Sequence, residues 1–158
     1  MSVSGSDLLM RAALAQAHLA LDLDEVPVGA VVAMEGRIVG AGFNRAISQS
    51  DPTAHAEIVA IREAARAVGN YRLVGSSLYV TVEPCLMCVG AIVHARIGAL
   101  VYGAPELKAG AVVSTMRAFE HPALNHRVTV AGGVLEPECR ALMQEFFRRK
   151  RAKEAPAP

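Results

Sequence analysis

With 158 residues, 53% of them hydrophobic, and a net charge of +1, the chain has material for one well-packed core and too little for two. So slight a charge excludes a global electrostatic field as the basis of nucleic-acid or membrane binding, and any basic patch must be local. The first residues lack the basic flank and apolar stretch of a signal peptide, no long apolar run occurs, and two of the three cysteines lie three apart, as suits metal ligation in a reducing compartment. The expectation is a soluble cytoplasmic protein with no membrane partner.

In chain order, Asp7 is positioned to cap a helix over about 8–21, with Leu8, Ala12, Ala15 and Leu19 as its apolar stripe. Two β-branched runs, 28–33 and 37–41, flank Glu35-Gly36 and predict a hairpin. After a polar loop from Asn44 to Thr53, the spacing of Ala54, Ile58, Ile61, Ala65 and Val68 predicts a helix that stops at Gly69-Asn70. A buried strand over 77–82, a helix over 86–95 and strands at 100–103 and 128–131 follow. Cys139, Leu142, Met143 and Phe146 mark a last helix beginning near Pro137 and ending in a basic run. Strands alternating with helices predict an α/β domain with helices on both faces of one sheet. We expect a single domain over 1–153 and a disordered tail over 154–158.

Two strings carry the chemistry: His55-Ala56-Glu57 and Pro84-Cys85-Leu86-Met87-Cys88. Together they offer one imidazole and two thiolates, three zinc ligands that leave a fourth tetrahedral position for water, plus a carboxylate able to move protons. Cys85 and Cys88 are spaced to share one helix face, at a helix amino terminus that favours thiolates. His55 and Glu57, two apart, do not share a helix face, so a metal serving both must lie beyond the helix end. A lone C-x-x-C also fits redox and structural zinc sites, but a structural site needs a fourth protein ligand, and Cys139 belongs to the apolar stripe of the last helix. These residues leave open a catalytic zinc enzyme acting on RNA, one acting on free bases or nucleotides, and a zinc-stabilised binding module.

H-x-E with P-C-x-x-C is the signature of the zinc nucleobase deaminases. The flanking strings narrow this: V-P-V-G-A-V at 26–31, Asn44, D-P-T-A-H-A-E at 51–57, N-Y-R-L at 70–73, L-Y-V-T-V-E-P-C at 78–85, K-A-G-A at 108–111, N-H-R-V at 125–128 and F-F-R-R at 146–149. With these the chain resembles the bacterial tRNA-specific adenosine deaminases of the cytidine-deaminase-like superfamily, over nearly its whole length. The resemblance implies a three-layer α/β/α fold with a five-stranded mixed sheet, a homodimer, and hydrolysis of adenosine to inosine at the wobble position of a tRNA anticodon. It further implies one Zn2+ per chain on His55, Cys85 and Cys88, Glu57 as proton shuttle, Asn44 hydrogen-bonded to the flipped base, and Val28 and the Ala56 backbone as pocket wall. Glu106 stands where the best-known members have an aspartate, and its extra methylene moves the charge that meets the substrate. Arg148, Arg149, Lys150, Arg151 and Lys153, just past Phe146 and Phe147, fit equally a set of phosphate contacts and a helix carboxyl end whose cations the dipole favours, with Phe146 in the core stripe; the resemblance implies the first, an RNA contact.

Overall fold

The structure, a computed structural model, describes residues 4–154 and Pro156. The expected tail therefore lies outside the described residues except at Pro156 and at Glu154, which closes the last helix. Helix α1 (Gly5–Asp22) is capped one turn earlier than the sequence predicts: Ser4 is its N-cap, and its hydroxyl accepts from the Asp7 N–H at 3.1 Å. Asp7 instead lies in the first turn, where its negative charge is favoured by the positive end of the helix dipole.

Strands β1 (Gly29–Met34) and β2 (Arg37–Phe43) form the expected hairpin through Glu35 and Gly36, both at positive φ, 52° and 75°. Helix α2 (Ala56–Val68) ends on Gly69 in the left-handed region. Strand β3 (Ser76–Val82), helix α3 (Leu86–His94), strand β4 (Ala99–Ala104), a 3-10 turn (Ala118–Glu120), strand β5 (Thr129–Ala131) and helix α4 (Glu136–Glu154) follow. The described strands form one five-stranded sheet in the order β2-β1-β3-β4-β5, antiparallel through β3 and parallel beyond it. This is the mixed sheet expected of the fold class. Among the described residues no helix is long and apolar enough to cross a membrane.

The pleat divides the core in two. On one face Ala30, Val32, Leu78, Val80, Leu100 and Tyr102 pack under α2 and α3; on the other Val31, Tyr79 and Val101 pack under α1 and α4.

Two helices turn a different face inward from the one predicted. In α1 the buried residues are Met10, Ala13, Leu14, Ala17, Ala20 and Leu21, while Leu8 and Leu19 are exposed. In α2 they are Ala56, Glu57, Ala60 and Ala64, while Ile58, Ile61 and Ala65 are only half-buried and Val68 is exposed. The reason is clearance. A side chain at Gly40 would lie 2.4 Å from the Ala60 carbonyl oxygen, and one at Gly42 would lie 2.7 Å from the Ala60 nitrogen. Glycine on the strand facing alanine on the helix lets the two backbones approach, so the small residues turn inward and the branched ones are left outside.

Candidate active site

The α2 and α3 helices begin at the same end of the sheet, and their N-caps are His55 and Cys85. Both N-cap residues have extended backbone (φ −75°, ψ 155° and φ −78°, ψ 174°), and neither side chain makes a capping hydrogen bond. An N-cap side chain is not bound to the helical repeat. His55 and Glu57 therefore escape the conflict that helical spacing raised: His55 leaves from the non-helical residue, Glu57 from the second residue of α2.

The Nδ1 of His55 lies 3.6 Å from the Sγ of Cys85 and 3.6 Å from the Sγ of Cys88. A tetrahedral zinc ion with Zn–S of about 2.3 Å and Zn–N of about 2.0–2.1 Å has an S···N edge of about 3.6 Å, so the donor atoms stand at the separations that this ion requires. All three ligand atoms lie within 4.8 Å of one another, and Cys139 is not among them; it is buried against Gly103 in the other core layer, as expected of a packing residue.

A hydrogen bond from Cys88 draws the Cys85 thiol down to about 4, against the opposing effect of burial and with help from His55. The same bond, with burial, pushes the Cys88 thiol above the usual range. The bond to Cys85 raises His55. Burial raises Glu57, whose side chain is 3% exposed.

These residues open onto a cleft of about 230 Å³ whose walls include Val28, Asn44, Glu57, Glu106 and Met143. The Asn44 side chain accepts from the Ala56 N–H at 2.8 Å, which assigns its carbonyl oxygen inward and leaves its amide N–H₂ as the free polar edge. Ala56 itself is fully buried behind this wall with its N–H committed to Asn44. Glu106 lies on the rim, where its carboxylate accepts from the Lys108 N–H at 2.9 Å.

Two carboxylates that sequence reading passed over shape the rim. Glu25, 1% exposed, accepts from the Ile47 and Ser48 N–H groups at 2.9 and 3.2 Å and from the Ser48 hydroxyl at 3.1 Å, holding the loop that follows Asn44. Glu83, just ahead of Pro84, accepts from the loop on the opposite side, at Glu106 and at Val112 through Ser114. Burial opposes its charge, but the bonds from Ser114, Val113 and Glu106 prevail and hold it below the usual carboxylate range. The only signal in the sequence was an acid set directly before the Pro-Cys pair.

The family described as MafB19-like deaminase matches residues 5–151. The tRNA-specific adenosine deaminase of Haemophilus influenzae is 50% identical over 144 residues, 90% of this chain and 83% of that protein. The enzyme of the same description from Agrobacterium fabrum is 47% identical over 142 residues, 90% of this chain and 93% of that one. The chain belongs to the tRNA-specific adenosine deaminase family. A solved structure from studies of A-to-I editing by tRNA:A34 deaminases at the wobble position of transfer RNA superposes with a TM-score of 0.83 at 46% identity, covering 85% of this chain and 98% of that one. As a member of this deaminase family, the chain carries H-x-E and P-C-x-x-C, and His55, Glu57 and Cys85 of these motifs line one cleft.

Proposed function

We propose that this chain hydrolyses adenosine to inosine at the wobble position of a tRNA anticodon, with one zinc ion held by His55, Cys85 and Cys88. The observation that carries the reading is the pair of 3.6 Å His55–cysteine separations beside a buried carboxylate that is not a ligand, in a chain of this family. Zinc bound there supplies an acidified water for attack on the purine ring.

Glu57 is the proton carrier. It takes a proton from the water, delivers it to the ring nitrogen next to C6, and later returns one to the departing amine. The C6–N bond breaks, a C6–O bond forms, and ammonia leaves. Burial favours the protonated form of Glu57, which suits a group that must act as acid as well as base. Asn44 presents its amide N–H₂ to an acceptor of the base, Val28 and Met143 give the ring apolar walls, and Glu106 meets the ribose or backbone at the rim. The target nucleotide must be turned out of its stack to enter, and an anticodon loop allows this at lower cost than a duplex.

Residues 1–153 form the deaminase domain in this reading, and the cytoplasm is where it meets tRNA. The molecule is a homodimer, a proposal supported by the branched stripe that α2 leaves outside. Ile58, Ile61 and Ala65 line a surface groove with Tyr71 and Ala91, and Met87, one turn before Ala91 on α3, is exposed. Steady-state kinetics on an anticodon stem-loop, with free adenosine, guanine and cytidine alongside, test the function. Inosine is expected in the RNA with much higher kcat/KM. Equal or better efficiency on a free compound assigns the chain to small-substrate deamination instead, and bound zinc with no deamination of any substrate would leave a binding module.

A further inference from the structure

Glu83 borders the cleft and is 3% exposed, yet its carboxylate is turned wholly to the protein. One oxygen accepts from the Glu106 N–H at 3.1 Å and from the Ser114 hydroxyl. The other accepts from the N–H groups of Val112, Val113 and Ser114 at 3.1, 2.9 and 3.0 Å. A carboxylate presents about four lone-pair sites. Five donors occupy them, so none is left for a substrate, a metal or a proton in transit.

All five donors come from residues 106–114, between β4 and the 3-10 turn, a stretch with no helix or sheet to satisfy its N–H groups. The Ala111 N–H adds a bond to the Pro84 carbonyl at 2.9 Å, and a side chain at Gly110 would lie 2.4 Å from the Glu83 carboxyl carbon. The loop is wrapped around a single charge, and it carries Glu106 and Ala109 onto the rim of the cleft. Ordering a loop during folding removes that entropic cost from the moment of binding.

We propose that Glu83 is a positioning residue for the deaminase: it fixes 106–114 so that Glu106 and the rim meet the RNA in one geometry, without itself touching substrate or metal. This rests on the RNA-deaminase reading above.

Glu83→Gln tests it, because the substitution keeps size and replaces one acceptor oxygen with an N–H₂ that faces donors whichever way the amide turns. In zinc-loaded Glu83→Gln, KM for an anticodon stem-loop is expected to rise about tenfold with a smaller fall in kcat, the pattern of lost binding rather than lost chemistry. The amides of Val112, Val113 and Ser114 are expected to lose protection in hydrogen exchange. Ser114→Ala, which removes a donor but keeps the charge, should raise KM less and leave zinc content and Tm unchanged. Wild-type kinetics in loaded Glu83→Gln, or a fall in kcat at constant KM, overturns the proposal. If Glu83→Gln does not fold, Ser114→Ala decides, and an unchanged KM there overturns it. Should the unaltered enzyme make no inosine in RNA, the deaminase reading falls by itself. Exchange at 112–114 in the native chain still judges the clamp, and rates like those of free loop amides would sink it.

Discussion

Replacing Gly42 with alanine should damage the site from behind. The added Cβ would lie 2.7 Å from the Ala60 nitrogen and 2.8 Å from the Ala56 carbonyl oxygen, atoms of the first turns of α2. Ordinary contact begins near 3.4 Å, so strand and helix must part by about 0.7 Å at a place where the nearest atoms are helix backbone and the Cβ of Val59, none of which a rotamer change can move. Overpacking of this kind costs about 1–3 kcal/mol. For a chain of this length that is a fall in Tm of roughly 2–12 °C. The same displacement exceeds the roughly 0.2 Å tolerance of metal–ligand distances at His55, and misplacement approaching 1 Å costs up to about 10²-fold in rate. We therefore expect kcat/KM to fall roughly ten- to hundred-fold, with weaker zinc retention against a chelator. Gly40→Ala is the control: its clash, 2.4 Å from the Ala60 carbonyl oxygen and 2.6 Å from the Ala64 nitrogen, lies a turn further from His55. It should lower Tm comparably and activity less. Melting curves, metal analysis and inosine assays on both variants decide the matter. A Gly42→Ala enzyme with wild-type Tm and turnover, or an activity loss no greater than that of Gly40→Ala, would refute the argument.

Substituting His55, Cys85 or Cys88 by alanine should each abolish stoichiometric zinc, measured by metal analysis; full zinc and activity in both cysteine variants would remove them as ligands. Glu57→Gln should keep zinc and lose about 10²–10⁴ in kcat, the usual worth of a general acid–base, and near-normal turnover would take Glu57 out of the mechanism. Truncation after Phe147 leaves the buried Leu142 and Phe146 in place and removes Arg148, Arg149 and the cations beyond, the first two of which pair with Glu145 at 2.7 and 2.8 Å. Exposed pairs of this kind hold little energy and exchange readily for phosphate, so RNA affinity and its salt dependence should both fall; an unchanged salt slope would show a solvated helix end. Sedimentation equilibrium should give twice the chain mass, and Met87→Glu, on the exposed face of α3, should shift it toward the monomer; a monomeric native protein would refute the proposed interface.

The residue types and their local spacing were enough to single out His55, Glu57, Cys85 and Cys88, because metal ligation and proton transfer admit few side chains and each motif spans less than one helical turn. Periodicity likewise located each described strand and α-helix to within a few residues, since alternation and the helical repeat are properties of short stretches, but not the 3-10 turn at Ala118–Glu120. Which face of α1 and α2 turned inward was not legible. Both helices carry two usable apolar stripes, and the choice fell to alanines that match glycines on a strand elsewhere in the chain. The aim of His55 was equally hidden, because it depended on the residue being an N-cap rather than part of the helix. Strand order, and the loops folded over Glu25 and Glu83, came only with tertiary structure: the donors that satisfy these carboxylates lie 22 to 31 residues further along the chain, and no local pattern links a buried charge to amides so distant.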